Sequence, residues 1–99
     1  MTDKPKYNAN WRRLSDMPVP KWEPASIVLN NKMYVLGGYE TGIISGKNLH
    51  LFDPEGGTHA TWEKMQDLPS DISHVNLAPG LTGFWFAGGM NDMNRPRGI

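Results

Sequence analysis

The chain alternates between short apolar runs and turn signals. Ser26–Leu29 is apolar and partly β-branched, and Asn30-Asn31-Lys32 behind it is a hairpin-turn signal. Met33–Leu36 is a second apolar run, stopped by Gly37-Gly38. A Gly- and Ser-containing loop over Thr41–Lys47 precedes Asn48–Phe52, where Leu49 and Leu51 alternate with Asn48 and His50. Period-two alternation is the mark of a half-buried strand, and it predicts His50 on a polar face. Asp53-Pro54 ends that run, Glu55-Gly56-Gly57-Thr58 is a turn, and Ala60–Met65 is a fourth strand closed by Asp67-Leu68-Pro69. The pattern then restarts with Ser73–Leu77, a turn at Pro79-Gly80, Gly83–Ala87 and Gly88-Gly89. No window holds the i, i+3, i+4, i+7 spacing of a helix without an interrupting Gly or Pro.

The restart is a repeat. At one gapless offset of 51 positions, Trp11 falls on Trp62, Asp16 on Asp67, Pro18 on Pro69, Gly37 on Gly88 and Gly38 on Gly89. Class matches follow at the same offset: Arg13 with Lys64, Leu14 with Met65, Met17 with Leu68, Tyr34 with Trp85 and Val35 with Phe86. A period near 50 residues with four short strands per unit is the pattern of a propeller blade.

Composition narrows the class. With 11 Gly and 8 Pro among 99 residues, the chain is well above the roughly 12% of an average protein. The absence of Cys excludes a disulfide framework and a thiolate zinc site. Ten basic and ten acidic residues give a formal net charge of zero, which argues against a general nucleic-acid binder. No apolar run approaches the roughly 20 residues of a membrane helix. No signal peptide is visible in the first 20 residues, which points to the cytoplasm.

Three stretches then carry a resemblance. Val28–Gly38 with its Gly-Gly end, Leu51-Phe52-Asp53-Pro54, and Trp62-Glu63-Lys64-Met65 with Leu68-Pro69 resemble a kelch repeat over residues 8–90. Phe52-Asp53 stands where Tyr-Asp is commoner in that family. The resemblance implies an all-β fold: a partial kelch-type β-propeller of four-stranded antiparallel blades. It divides the chain into a disordered N-terminus (1–8), the outer strand of a neighbouring blade (9–18), a complete blade (19–69), and the first two strands and loop of the next (70–99). The repeat residues are Trp11, Gly37, Gly38, Phe52, Asp53, Trp62, Gly88 and Gly89, with Trp11 and Trp62 expected as wedges between blades. The chain thus reads as an N-terminal fragment that needs the remaining blades of its parent. With strand edges unpaired, it is expected to oligomerise or aggregate when isolated.

The chemistry on offer is sparse. His50, His59 and His74 have no metal-ligand spacing, and no nucleophile elbow, phosphate loop or dinucleotide fingerprint is present. No cofactor is implied. By the resemblance, loops leading into the innermost strand of each blade line one rim, and the connectors after each Gly-Gly open on it. That gathers Trp22, Glu23, Tyr39, Glu40, His74, Asn76, Asn91 and Arg95 as candidate ligand-binding residues. The offset places Glu23 over His74, and strand alternation sets Asn76 on the same side as His74. The resemblance implies a non-catalytic scaffold that recognises a protein or carbohydrate ligand at this rim. The alternative is a carbohydrate-active enzyme of the sialic-acid mutarotase type, with Glu23 and His74 as acid–base groups.

Overall fold

A computed structural model describes residues 10–41 and 44–90. Its main unit is a four-stranded antiparallel sheet in the order β1-β2-β5-β6, formed by β1 (Ala25–Leu29), β2 (Lys32–Leu36), β5 (Leu49–Phe52) and β6 (Trp62–Lys64). A small ribbon of β3 (Tyr39–Thr41) and β4 (Ile44–Ser45) projects between β2 and β5. The second repeat contributes the hairpin β7 (Asn76–Pro79) and β8 (Phe84–Ala87). The fold is all-β, a partial kelch-type blade array.

The turn chemistry explains the first hairpin. Asn30 and Asn31 both take positive φ, 51° and 63°, which is the two-residue turn that matches the twist of antiparallel strands. Asn tolerates this region better than other side-chain-bearing residues. The expected turn at Glu55–Thr58 is wound more tightly than the sequence suggested. Pro54–His59 forms 3-10 turns, capped by the Asp53 carboxylate accepting from Glu55 N–H at 3.0 Å and kinked at Gly57.

Register fixes the two faces of each hairpin. Ala25 opposes Leu36 and Ile27 opposes Tyr34, so these four share one face; Ser26 with Val35 and Val28 with Met33 share the other. The first face looks toward the second repeat. There Ala25, Leu36, Leu68, Ile72 and Val75 are buried together, with Leu49, Leu77, Phe84 and Phe86 packed around them. Tyr34 meets Phe84 with ring centroids 5.8 Å apart. The core is therefore the seam between the two repeats, and β1 lies against β7. Leu36 and Ile72 are completely buried, each contributing about 1.5–3 kcal/mol by burial.

The Gly pair lies at that seam. Gly37 and Gly38 have φ of 63° and 85°, and Gly38 N–H donates across the seam to Ile72 O at 2.8 Å. A Cβ on Gly37 would overlap that carbonyl oxygen. A Cβ on Gly38 would lie 2.7 Å from Trp22 O, and one on Gly89 2.9 Å from Ser73 O. Both requirements for Gly, positive φ and close approach, hold here.

Two expectations are corrected. His50 is not on a polar face: it is 2% exposed, beneath the Trp62 ring, with centroids 6.5 Å apart. Alternation identified which residues share a face but not that both faces of this central strand are covered. Trp11–Leu14 forms no strand among the described residues, and Trp11 is 94% exposed. The segment instead touches the start of β6, where Ser15 O accepts from Trp62 Nε1 at 3.0 Å. Finally, Ser73–Leu77 is not continuous, because His74 at φ 56° interrupts it and the ladder begins at Asn76.

Candidate functional site

The loops leading into β1 and β7 have the same backbone design. Trp22 and Tyr39 exchange both backbone hydrogen bonds at 2.8 Å; Ser73 and Met90, each 51 positions on, do the same at 2.8 Å. The next residue in each loop is left-handed: Glu23 at φ 52° and His74 at φ 56°. Neither is Gly or Asn, so each carries a backbone cost of roughly 1–2 kcal/mol. Such strain persists where the surroundings hold it in place, and it clusters at functional positions.

The side chains at these two positions meet. His74 Nε2 pairs with the Glu23 carboxylate. His74 Nδ1 lies 3.0 Å from Ser73 Oγ and 3.5 Å from the Tyr39 hydroxyl, and the Tyr39 ring stands edge-on to the imidazole at 5.5 Å. With its proton on Nε2, a neutral imidazole donates to Glu23 and accepts the Ser73 hydroxyl at Nδ1. Both ring nitrogens are then engaged within the protein. Ser73 and Tyr39 are buried, while Glu23 and His74 are partly open to solvent.

Trp22, beside this cluster, is 70% exposed. Its backbone is held by the Tyr39 bridge, so a large aromatic face is presented to solvent from a fixed position. A second polar group flanks it. Lys21 Nζ donates to Asn48 O at 3.2 Å, and the Glu40 carboxylate accepts from Asn48 Nδ2. Burial pushes the Lys21 ammonium below its usual range, and Glu40 partly opposes that. Gly46 packs on the Glu40 carboxylate, where a Cβ would collide with it.

Of the sequence candidates, Glu23, His74 and Tyr39 come together, with Trp22 and Glu40 on the adjoining backbone. Asn76 is exposed on β7 opposite Ala87 and carries none of the cluster's hydrogen bonds. The alternation argument for it fails because left-handed His74 breaks the strand. Asn91 and Arg95 lie outside the described residues. Sequence reasoning missed Ser73 as the partner of His74, since Ser73 falls on Trp22 in the repeat and shares no chemistry with it. It also missed the Lys21–Asn48–Glu40 group, whose members are far apart in sequence. Among the described residues, no group of three or more His, Asp or Glu is placed to hold a metal ion.

Known proteins resemble this chain in sequence. The chain is 33% identical over 85 residues to an F-box/kelch-repeat protein of Arabidopsis thaliana, covering 85% of this chain and 21% of that protein. It is 28% identical over 81 residues to Kelch-like protein 28 of Homo sapiens, covering 75% of this chain and 14% of the relative. Over most of its length the chain is homologous to kelch-repeat proteins. A second Arabidopsis F-box/kelch-repeat protein is 30% identical over 80 residues, covering 81% of this chain and 20% of its own length. No protein-family model matches the chain. The chain spans about a fifth or less of the relatives it matches.

Proposed function

We propose that this chain supplies part of a non-catalytic scaffold that recognises a protein ligand at the rim formed by Trp22, Glu23, Tyr39, Glu40 and His74. Within it, residues 19–69 form one blade unit and residues 70–99 open the next. The exposed Trp22 on a fixed backbone carries the reading. Aromatic side chains presented rigidly beside charged groups are the usual anchors of recognition surfaces, because they bring large contact area at small entropic cost. Engagement of both His74 nitrogens supports a positioning role for the Glu23–His74 pair rather than proton transfer to a sugar.

The test is selection of binders from a random peptide library and a sugar panel on the protein. Trp22→Ala should weaken selected peptides at least tenfold, about 1.4 kcal/mol, with the fold intact by circular dichroism. Peptides that bind the Trp22→Ala variant unchanged, or turnover of any sugar that Glu23→Gln and His74→Ala abolish, would overturn the proposal.

A further inference from the structure

Ser15 is the sole Ser or Thr of the sequence with arginines at both the second and third positions before it, Arg13 and Arg12. All three residues are exposed, and they belong to no helix or strand. Two guanidiniums beside a hydroxyl form a recognition pattern, because each presents a planar fork of donors that fits a carboxylate bidentately. An acidic enzyme groove can therefore hold this stretch with the Ser15 hydroxyl in a fixed place. The stretch is also positioned by the chain itself. Ser15 Oγ donates to the carbonyl of buried Ala60, and Ser15 O accepts from Trp62 Nε1 at 3.0 Å. These two bonds fasten it to the start of β6, where the Trp62 ring stands edge-on to buried His50. Arg13 pairs with Asp16 at 2.9 Å in open solvent, a bond it can exchange for another at little cost.

We propose that Ser15 is a phosphorylation site for a serine kinase with an acidic substrate groove, and that the phosphate releases this segment from β6. The Ser15 oxygen attacks the γ-phosphorus of a nucleoside triphosphate. An O–P bond forms, the bond to the nucleoside diphosphate breaks, and the hydroxyl proton passes to the kinase. Oγ then has no hydrogen to give Ala60 O. A charge of about −1.5 to −2 stands beside that carbonyl and beside the Asp16 carboxylate, so the docked arrangement is repulsive on both sides. Arg12 and Arg13 satisfy the phosphate within the segment itself, and Arg13 leaves Asp16 to do so. The proposal stands apart from the rim reading, since Ser15 takes no part in the Glu23–His74 cluster.

Incubation of the folded 99-residue chain with ATP and a serine kinase selective for basic substrates, followed by mass-spectrometric mapping, tests the site. One phosphate at Ser15 is expected. Arg12→Ala with Arg13→Ala should slow the transfer about tenfold or more, because two charge-assisted forks are lost. Solvent exchange of the Trp62 indole N–H, followed by NMR, reads the release. It should be about tenfold faster or more once Ser15 carries phosphate, with the β2 amides unchanged. Ser15→Ala loses the hydroxyl bond without gaining charge and should accelerate it less. Phosphate on another hydroxyl, transfer indifferent to the two arginines, or transfer to Ser15 in denaturant alone would overturn the site. An indole N–H that exchanges equally before and after phosphorylation, or equally in Ser15→Ala and the phosphorylated chain, would overturn the release.

Discussion

Glu23 and His74 occupy the same position in successive repeats, share a left-handed backbone, and pair with each other across the seam. The pairing is half exposed on both sides, so it positions groups more than it holds the fold together. Glu23→Gln should therefore cost under about 1 kcal/mol of stability. His74→Gly should be close to neutral, because loss of the pair offsets relief of a backbone cost of roughly 1–2 kcal/mol. Urea denaturation of the two variants checks both values.

The Gly pair is the opposite case. Gly37→Ala combines positive φ with a collision against the Ile72 carbonyl, so it should destabilise by at least about 2 kcal/mol. Gly83 has open space around it. Gly83→Ala should be neutral or stabilise by up to about 1 kcal/mol. Parallel thermal melts of the two variants separate these outcomes.

The contrast shows how far the sequence was legible. The repeat could be read because its markers are local: Gly where φ is positive, Pro where strands end, Asn where the hairpin turns. The seam was legible through Gly37-Gly38, although not its acceptor, Ile72 O. Left-handed Glu23 and His74 carry no such marker, and only the offset placed them together. His50 was misread because alternation cannot say whether the second face of a strand is also covered.

His50 sets an acid-sensitive step. Burial first, then the nearby Lys21 and Lys64 charges, holds its pKa below the ordinary 6.5, and its Nδ1 has no hydrogen-bond partner. The folded state resists protonation while the unfolded chain does not. Stability from this site is complete above pH 6.5 and falls as the pH drops from there toward the depressed value. His50→Leu should flatten that part of the profile without loss of stability at pH 8, because an unpaired polar atom leaves the interior. Denaturant midpoints across the pH range report it.

Trp62 tests packing against hydrogen bonding. Its ring lies 4.8 Å from Phe52 and its Nε1 donates to Ser15 O. Trp62→Phe retains the ring contact and loses the bond, for about 1 kcal/mol. Trp62→Ala loses both and uncovers His50, for about 3 kcal/mol. Equal effects of the two substitutions would place the Trp62 contribution in the hydrogen bond alone.

The central claim is that the Gly38–Ile72 contact locks the two repeats together and so builds the rim. Native-state hydrogen exchange at the Gly38 amide tests it most directly, since that N–H donates to Ile72 O and to no atom of its own sheet. The account predicts protection of Gly38 comparable to that of Val35 at the centre of β2, with both lost together on global unfolding. Free exchange at Gly38 while Val35 stays protected would mean that the repeats part independently, and the account of the rim would fail.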